Sequence, residues 1–552
     1  MKNSKYSLGS QNENEDETSD EFPEVDHIGL YTLGMYFILS TPLILSAARG
    51  LGYVFTTAPV SYRCLAKECE NPGDTTLHPL WLPNAVPYTD GKPATCSRFT
   101  VQNVTDSCLT TVFTNDTEPC DAWVYDPEEI TILNEWDLTC DNNLWKLTLP
   151  GTINNFGQFL GLTLCGHLSD KYGRRNLLVV ATLMSSIFGL IRSFSLNYWM
   201  FITFEFLDAF SGSAVYSAAF VLGMELVGPK KRALASILTC TMYIVFVVFL
   251  GLFAMWFRSW RILLRIFYTA GLFALFLPFI VPDSVRWLLS KERIEEAEAV
   301  LRKIAAGNKI EISEKSILLI RNWKNKNHDK VDTTNPPDVS AVRQVIGNRT
   351  VLIRLIICTY CWVANVFVYY GLSLGSIYVP GDKYINFILV SLVEIPALFV
   401  AWILVDYLGR KPTLSLTFFL SGIFCIITIF IPADWGYLPL IVFLCGKFCI
   451  TTAYHLIYMY TTEMFPTSLR HSLLGLCSMV GRIGSMSAPQ TPLLAHYMKS
   501  LPFILYGVMG ISASFLSLSF PETLGIKLPD TVCEAAKIGE ARKKERSDSR
   551  VI

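Results

Sequence analysis

The sequence predicts an all-α membrane protein with twelve transmembrane helices in two six-helix parallel repeats and a large disulfide-bonded extracellular loop. Three observations carry this prediction. Hydrophobic residues make up 51% of the 552 residues and charged residues only 17%, whereas soluble chains carry about 25% charged residues. Long apolar runs recur along the chain, and short motifs of the first half return in the second half. The apolar composition excludes a disordered chain, and the net charge of −1 argues against a nucleic-acid binder.

Twelve apolar runs approach or exceed the roughly 20 helical residues that a bilayer core requires. They lie at about 29–57, 147–167, 177–193, 198–222, 233–256, 262–281, 351–373, 384–405, 413–431, 438–460, 472–494 and 502–520.

The basic loops orient these helices, because Lys and Arg are retained on the cytoplasmic side of a membrane. Bases follow the second, fourth, eighth and tenth runs, so both termini are expected in the cytoplasm, for a multi-pass protein of the plasma membrane. The expected organisation is an acidic cytoplasmic N-tail (1–27), a first half (28–281), a cytoplasmic helical loop (282–349), a second half (350–521) and a cytoplasmic C-tail (522–552).

The loop 59–144 then lies outside the cell. Six of the fifteen cysteines fall in it, an even number that predicts three disulfides in an oxidising compartment, with fifteen possible pairings. They are Cys64, Cys69, Cys96, Cys108, Cys120 and Cys140. Two N-x-T sequons, at Asn103 and Asn115, predict glycosylation of the same loop.

Three motifs at predicted cytoplasmic helix ends occur in the same order in both halves. They are Asp170-Lys-Tyr-Gly173-Arg174-Arg175 with Asp406-Tyr-Leu-Gly409-Arg410-Lys411, Glu225 and Arg232 with Glu463 and Arg470, and Pro282-Asp283-Ser284 with Pro521-Glu522-Thr523. Such a parallel repeat is typical of a major facilitator, which handles its substrate between the halves near the membrane midplane.

The repeated motif also has a mechanical interpretation. We expect Gly166 and Gly173 to allow close helix approach and a tight turn. Asp170 and the paired bases would then bridge neighbouring helix ends by salt bridges that form and break as the halves rock. The alternative, that the bases only set topology, explains the Lys and Arg residues but not the repeated Asp and Gly.

At these residues the sequence resembles the major facilitator superfamily and, within it, the organic ion transporters of solute carrier family 22, of the invertebrate organic cation transporter type. The resemblance covers essentially the whole chain. It includes Asn134-Glu135-Trp136-Asp137-Leu138-x-Cys140, Asp283-Ser-Val-Arg286-Trp287-Leu, Tyr369-Tyr370-Gly371-Leu-Ser, Val393-Glu394-Ile-Pro396-Ala and Thr462-Glu463-Met-Phe-Pro466-Thr. The family contains branches for organic cations, for carnitine and other zwitterions, and for organic anions.

Three ionisable residues of the second half lie near the middle of their apolar runs, where a charge is costly unless it is paired or hydrated. Glu394 would supply a carboxylate for a cation, whereas Lys447 and Arg482 would donate to a carboxylate. The resemblance implies a carnitine-like or zwitterion/organic-cation carrier. Cation carriers tend to have an acid in place of Arg482, the Lys447 position looks like the carnitine-type and anion branches, and Glu394 looks like the cation and carnitine branches. In the alternative, Glu394 pairs with Arg482 or Lys447 and only stabilises this half.

Aromatic and polar side chains share the faces of the same predicted helices. Trp362, Asn365 and Tyr369 line one face of the seventh helix, and Tyr454 and Tyr458 share the Lys447 face of the tenth. Ring faces at these positions could hold an organic ammonium by cation–π attraction.

The first half departs from the family pattern. Arg49 stands where an uncharged residue is more usual, and Glu205 stands about where relatives carry an Arg, with Asp208 one turn later. Because Arg49 and Glu205 lie at similar depths, we hypothesise a buried Arg49–Glu205 pair. In the alternative, Asp208 faces the pathway and contacts a cation.

The sequence thus predicts an alternating-access carrier of small organic cations or zwitterions. Organic anion exchange and a receptor without net flux are the alternatives. Nothing in the sequence indicates an enzyme, a cofactor or a metal site, and the expected partners are a small organic substrate and the lipid bilayer, without nucleic acid. Coupling to Na⁺ or H⁺ stays open, as does the oligomeric state.

Overall fold

The computed structural model describes residues 29–70, 76–89, 91–101, 108, 112–227, 231–321, 345–432, 434–467, 469–526 and 528–538. Helices occupy the positions of the predicted apolar runs, which confirms a mostly helical fold. They are α1 (Leu30–Leu51), α2 (Leu144–Tyr172), α3 (Arg174–Ser193), α4 (Tyr198–Glu225), α5 (Arg232–Phe257), α6 (Trp260–Ile280), α7 (Arg349–Gly375), α8 (Lys383–Leu408), α9 (Arg410–Phe430), α10 (Leu438–Met464), α11 (Arg470–Ser487) and α12 (Leu501–Ser517).

In the described part of the chain, nine helices are long and apolar enough to cross a membrane, namely α1 and α3 to α10. The helix α2 has 29 residues and is long enough, but it is more polar than these nine, since it carries Asn154, Asn155 and Gln158. The helices α11 and α12 have only 18 and 17 residues. A count of twelve crossings therefore stays a prediction.

The helix α8 is interrupted at Val393, between the segments Lys383–Leu392 and Glu394–Leu408. Pro396 explains the interruption, because proline has no N–H to donate to the carbonyl of Leu392, four residues earlier. The second segment therefore begins at Glu394, in the first turn, where the helix dipole favours a negative charge.

The chain between α1 and α2 forms a small cap at one end of the bundle, here named the capped end. Its strands pair antiparallel in three two-stranded sheets, β1 (Tyr62–Cys64) with β6 (Trp123–Tyr125), β2 (Tyr88–Thr89) with β3 (Lys92–Pro93), and β4 (Ser97–Val101) with β5 (Phe113–Pro119). The structure pairs the cysteines as Cys64–Cys120, Cys69–Cys108 and Cys96–Cys140. Asn115 is exposed on β5, whereas Asn103 lies outside the described residues.

The cap is attached to the first half. The N–H of Ile130 donates to the carbonyl of Arg258 at 2.9 Å, and the N–H of Trp260 donates back to Ile130 at 3.1 Å. Arg261 forms an ion pair with Glu135 of the cap. Because these contacts hold the cap to the α5–α6 connection, the cap and the first half form one unit.

The two halves touch at the capped end. The hydroxyl of Thr148 in α2 donates to the Gln490 side chain at 3.1 Å, and Gln490 donates to Thr152 at 2.6 Å. Across the same end, Lys383 and Tyr384 at the start of α8 both bind the carboxylate of Glu129 in the cap. The capped end is thus closed by direct bonds between the halves.

At the opposite end, the repeated motif forms ion pairs within each half. Arg174 lies 3.1 Å from Asp170 and 3.4 Å from Glu225, and Arg175 lies 3.4 Å from Asp283. Gly173 adopts a φ of 97°, and an added Cβ there would lie 3.1 Å from the ring of Trp287, which covers the turn.

The second half repeats this arrangement with one change. Arg410 lies 3.9 Å from Asp406 and 3.2 Å from Glu463, and Gly409 adopts a φ of 92°. Glu522 stands where the first half has Asp283, and its side chain is longer. It accepts hydrogen bonds from the backbone N–H groups of Arg410 and Lys411 at 2.9 and 3.1 Å, which caps the start of α9.

One expectation for the motif is wrong. Gly166 is exposed on α2, and an added Cβ would meet nothing within 4 Å, so this glycine permits no close helix approach. Gly157 and Gly161 do so instead, since an added Cβ at either would meet the backbone of α4, at Phe206 and at Phe210 respectively. Arg232 begins α5, but its side chain lies outside the described residues, whereas Arg470 begins α11 with Nε and one terminal nitrogen buried and unpartnered.

Between the halves, the described helices are Val285–Ser290, Ile294–Asn308 and Glu314–Arg321, and Val532–Lys537 follows α12. The Nε1 of Trp287 donates to the carbonyl of Asp170 at 3.2 Å, which joins this segment to the motif of the first half. The expected N-tail 1–27 lies outside the described residues, as does the end of the expected C-tail, 539–552.

Candidate substrate site

The best-defined contact of the predicted site is a buried ion pair in the second half. Lys447 Nζ of α10 lies 2.8 Å from Glu394 Oε1 of α8. The hydroxyl of Tyr369 in α7 donates to the same carboxylate at 2.9 Å. The break in α8 makes this possible, because it places Glu394 at the start of a helical segment that faces α7 and α10.

Lys447 has further partners on α7. Its Nζ donates to Ser373 Oγ at 2.7 Å and lies 3.4 Å from the centroid of the Tyr369 ring. The Lys447 side chain is 0% exposed. Both Lys447 and Glu394 are therefore committed to partners within the protein.

Arg482 of α11 differs from these two residues. Among the described residues no ion pair joins it to a carboxylate, and the phenol groups of Tyr370, Tyr454 and Tyr458 lie within electrostatic range of its guanidinium. Across the boundary between the halves, Tyr243 of α5 lies within electrostatic range of Arg482. Arg482 is partly exposed, and tyrosines of both halves lie near its guanidinium.

The aromatic residues predicted for the site form a connected stack. The ring centroids of Tyr369 and Tyr454 lie 4.8 Å apart, those of Tyr454 and Tyr458 5.6 Å, and those of Trp362 and Tyr458 4.4 Å. Trp362 also donates from Nε1 to Thr461 at 3.0 Å and is 1% exposed, so it belongs to the packing behind the stack.

Asn365 lies on α7 between Trp362 and Tyr369, as the helical spacing predicts. Its side chain is 0% exposed, and neither its amide nitrogen nor its oxygen has a partner among the described residues. The hydroxyl of Thr451, one turn from Lys447 on α10, is also buried and unpartnered. These are polar groups of the second half that the protein leaves unsatisfied.

The first half contains a separate, fully buried charge network. Arg192, at the end of α3, binds the carboxylate of Glu205 and lies 3.3 Å from Asp208, both on α4. Tyr268 of α6 donates to Asp208 and accepts from Arg192 at 3.0 Å. Asn154 of α2 donates to Glu205 at 2.6 Å. Five side chains from four helices are therefore bound to one another, with two carboxylates around one guanidinium.

This network corrects the expected Arg49–Glu205 pair. Arg49 instead donates to the backbone carbonyl of Gly212, while Glu205 is held by Arg192. The physical reason is that Arg192 reaches both acids from α3, whereas Arg49 lies where α4 presents a carbonyl. Asp208 is 0% exposed and enclosed in the network, so it does not face a pathway in this conformation.

Sequence reasoning missed Arg192, Tyr268 and Tyr370. Arg192 closes an apolar run, a position that is usually a loop base, and only the neighbouring acids at the start of the next run indicated a partner for it. Tyrosines in apolar runs carry no signal that separates a site from packing. Among the described residues, no group of His, Cys, Asp and Glu is placed to hold a metal ion.

Comparisons with known proteins agree with this fold. The family described as "Sugar (and other) transporter" matches residues 105–531. The xylose transporter XylE from E. coli, in a partially occluded inward open conformation, has a TM-score of 0.59 and 15% identity, covering 89% of this chain and 99% of that chain. The inward open conformation of the same transporter has a TM-score of 0.56 and 18% identity, covering 72% of this chain and 90% of that chain. Fold and family define an integral, multi-pass membrane transporter of the major facilitator type and not an enzyme.

Comparison with curated relatives narrows the class of transporter. The organic cation/carnitine transporter 2 of Mus musculus is 32% identical over 520 residues, 91% of each chain, and that of Homo sapiens is 32% identical over 542 residues, 94% of each chain. The organic cation transporter protein of Drosophila melanogaster is 29% identical over 528 residues, 94% of this chain and 95% of the relative. The chain belongs to the sugar (and other) transporter family and, within it, to solute carrier family 22, in which these relatives are named as organic cation and carnitine transporters.

Proposed function

We propose that the protein carries small organic zwitterions, which bear both an ammonium and a carboxylate group, across the plasma membrane by alternating access. The observation that carries the proposal is Arg482, a guanidinium near the midplane that has no carboxylate partner among the described residues. A substrate carboxylate is the group that such a guanidinium binds most strongly, because it accepts two parallel hydrogen bonds.

The charges of the second half support a substrate with a carboxylate over a simple cation. Glu394 is the residue that a free organic cation would need, but it is bound to Lys447 and Tyr369. Lys447 and Arg482 are basic and Glu394 is acidic, so the three residues together leave a single positive charge at the site. An unaccompanied cation would therefore be repelled, whereas a carboxylate would be attracted.

The tyrosines around Arg482 supply a place for the ammonium group. Tyr370, Tyr454 and Tyr458 of the second half and Tyr243 of the first half lie within electrostatic range of the guanidinium. Tyrosine faces bind quaternary ammonium groups by cation–π attraction. The names of the Mus musculus and Homo sapiens relatives include carnitine, which carries both groups.

The transport cycle follows from where the halves touch. We assign the capped end to the outside and both termini to the cytoplasm, with twelve helices crossing the membrane. The bonds of Gln490 with Thr148 and Thr152 then close the outer end, while the repeated motif bonds within each half. This conformation is an inward-facing one, and the outer bonds must break for substrate to enter from outside.

The direct experiment is uptake into proteoliposomes of 4-trimethylammoniobutanoate, tetraethylammonium and glutarate, by the wild type and by Arg482→Ala. We expect saturable uptake of the zwitterion, weaker uptake of the cation, and loss of zwitterion uptake in Arg482→Ala. Arg265→Ala is the matched control, because Arg265 lies in α6 of the first half and its guanidinium lies 4.3 Å from the centroid of the Phe194 ring. Binding without accumulation would instead indicate a receptor.

The positive surplus also supports a second candidate function, organic anion exchange. In that case glutarate would compete with the zwitterion and tetraethylammonium would not. Accumulation of glutarate that depends on Arg482, with no uptake of the zwitterion, would favour this alternative.

A further inference from the structure

The surroundings of Lys447 Nζ form a complete cation site. The nitrogen lies 2.8 Å from Glu394 Oε1, 2.7 Å from Ser373 Oγ and 3.4 Å from the backbone carbonyl of Tyr369. The Tyr369 ring covers a further side, with its centroid 3.4 Å from Nζ. With the Lys447 side chain 0% exposed, these groups separate the ammonium from solvent.

The oxygen atoms and the ring around this nitrogen are groups that also bind free cations in proteins. Carboxylate, hydroxyl and carbonyl oxygens are the ligands of hard inorganic cations, and an aromatic face adds attraction for an ammonium. A plain ion pair would need only Glu394. Two oxygens and a ring from α7 complete the enclosure. The site therefore differs from a free cation site only because the ammonium is joined to α10 by the lysine side chain.

We propose that Lys447 is a tethered cation that fills a cation-binding site, and that the site accepts a small free cation, a primary alkylammonium or Na⁺, when the lysine is shortened. In the wild type the site is therefore occupied by the protein itself and takes no coupling cation. This inference concerns Lys447 and its ligands and does not depend on which substrate Arg482 binds.

The experiment uses the purified full-length Lys447→Ala protein and its thermal unfolding temperature in propylammonium chloride. Propylammonium restores the missing methylenes and the ammonium, so we expect the lowered unfolding temperature of Lys447→Ala to rise with the logarithm of its concentration, as binding to the folded state requires. Na⁺, tested separately against N-methylglucamine, should raise it less, because it cannot fill the space of the lost side chain.

Two variants separate site binding from a general effect of amines. Lys499→Ala removes an exposed lysine and should not respond, like the wild type. The double variant Lys447→Ala/Glu394→Gln lacks the carboxylate and should also not respond. No rise in Lys447→Ala, or an equal rise in the wild type or in the double variant, overturns the proposal.

Lys447→Ala could fail to fold without the cation, since it leaves a buried carboxylate unpaired. Expression and purification in propylammonium then become the measurement. We expect propylammonium to restore a monodisperse folded fraction of Lys447→Ala, and not of an unrelated destabilised variant such as Gly161→Ala. Equal recovery of both variants, or recovery of neither, also contradicts a cation site.

Discussion

The two halves of the molecule bury their charges in different ways. In the first half, Arg192 is shared by Glu205 and Asp208, and Tyr268 and Asn154 form further hydrogen bonds to these groups. In the second half, Glu394 and Lys447 neutralise each other, while Arg482 forms no ion pair with a carboxylate among the described residues and has tyrosines within electrostatic range. The repeat thus preserves the helices and the motif of the opposite end, but not the buried charges. We infer that the first network holds the fold and that the second leaves one charge for a ligand.

The largest effect is expected from breaking the first network at its centre. Arg192→Met leaves two buried carboxylates facing each other and should cost about 3–5 kcal/mol of stability. Thermal unfolding and the yield of monodisperse protein measure this. The control Arg192→Met/Glu205→Gln/Asp208→Asn removes all three charges and should recover most of the loss. A single variant as stable as the wild type would show that the network is not structural.

The corresponding change in the second half should cost less. Glu394→Gln leaves Lys447 with the hydroxyl of Ser373 and the ring of Tyr369, so we expect a loss of about 1.5–3 kcal/mol, the range for a hydrogen bond to a charged group. The same unfolding measurement applies, with Lys447→Met/Glu394→Gln as the control that removes both charges. A loss larger than that of Arg192→Met would reverse the proposed contrast between the halves.

Two glycines of α2 allow a comparison between a position packed against α4 and an exposed position near the repeated motif. Gly161→Ala places a methyl group against the backbone of Phe210 in α4 and should destabilise by about 1–3 kcal/mol. Gly166→Ala meets nothing within 4 Å and should stabilise slightly, by about 0.5–1 kcal/mol, because alanine is the better helix former. Equal losses at both positions would restore the close approach first expected at Gly166.

A small effect is also expected at the bond between the halves. Glu129→Gln weakens the contact with Lys383, a partly buried ion pair worth about 1 kcal/mol. The population open at the capped end should therefore rise about fivefold. Pulsed electron paramagnetic resonance between spin labels at Trp199 and Tyr437, both exposed near that end, measures the opening. An unchanged distance distribution would show that this contact does not hold the halves together.

Much of the fold was predictable from the sequence, because its signals are local. Apolar runs gave the helices, and the repeated motif gave the matching turns at Gly173 and Gly409. The even cysteine count predicted the disulfide-bonded cap, but the pairing depends on chain folding between distant residues. The depth of Glu394 and Lys447 predicted a shared site, since spacing along a helix fixes depth.

The remainder of the site depends on which helices face each other, and spacing does not contain that information. Arg49 and Glu205 lie at similar depths, yet the acid meets Arg192, because α3 packs on α4 and carries this residue in its last turn. Likewise, Gly161 and Gly166 are equally plausible as contact glycines in the sequence, and only the position of α4 distinguishes them.

The central claim is that Arg482 binds a substrate carboxylate, and one ratio tests it most directly. Uptake of 4-trimethylammoniobutanoate is compared with uptake of its methyl ester, which keeps the ammonium and lacks the carboxylate, in the wild type and in Arg482→Gln. A charge-assisted hydrogen bond of about 1.5–3 kcal/mol predicts a wild-type preference for the carboxylate of roughly 10- to 100-fold, lost in Arg482→Gln. An equal preference in both proteins, or a wild-type preference for the ester, would contradict the claim.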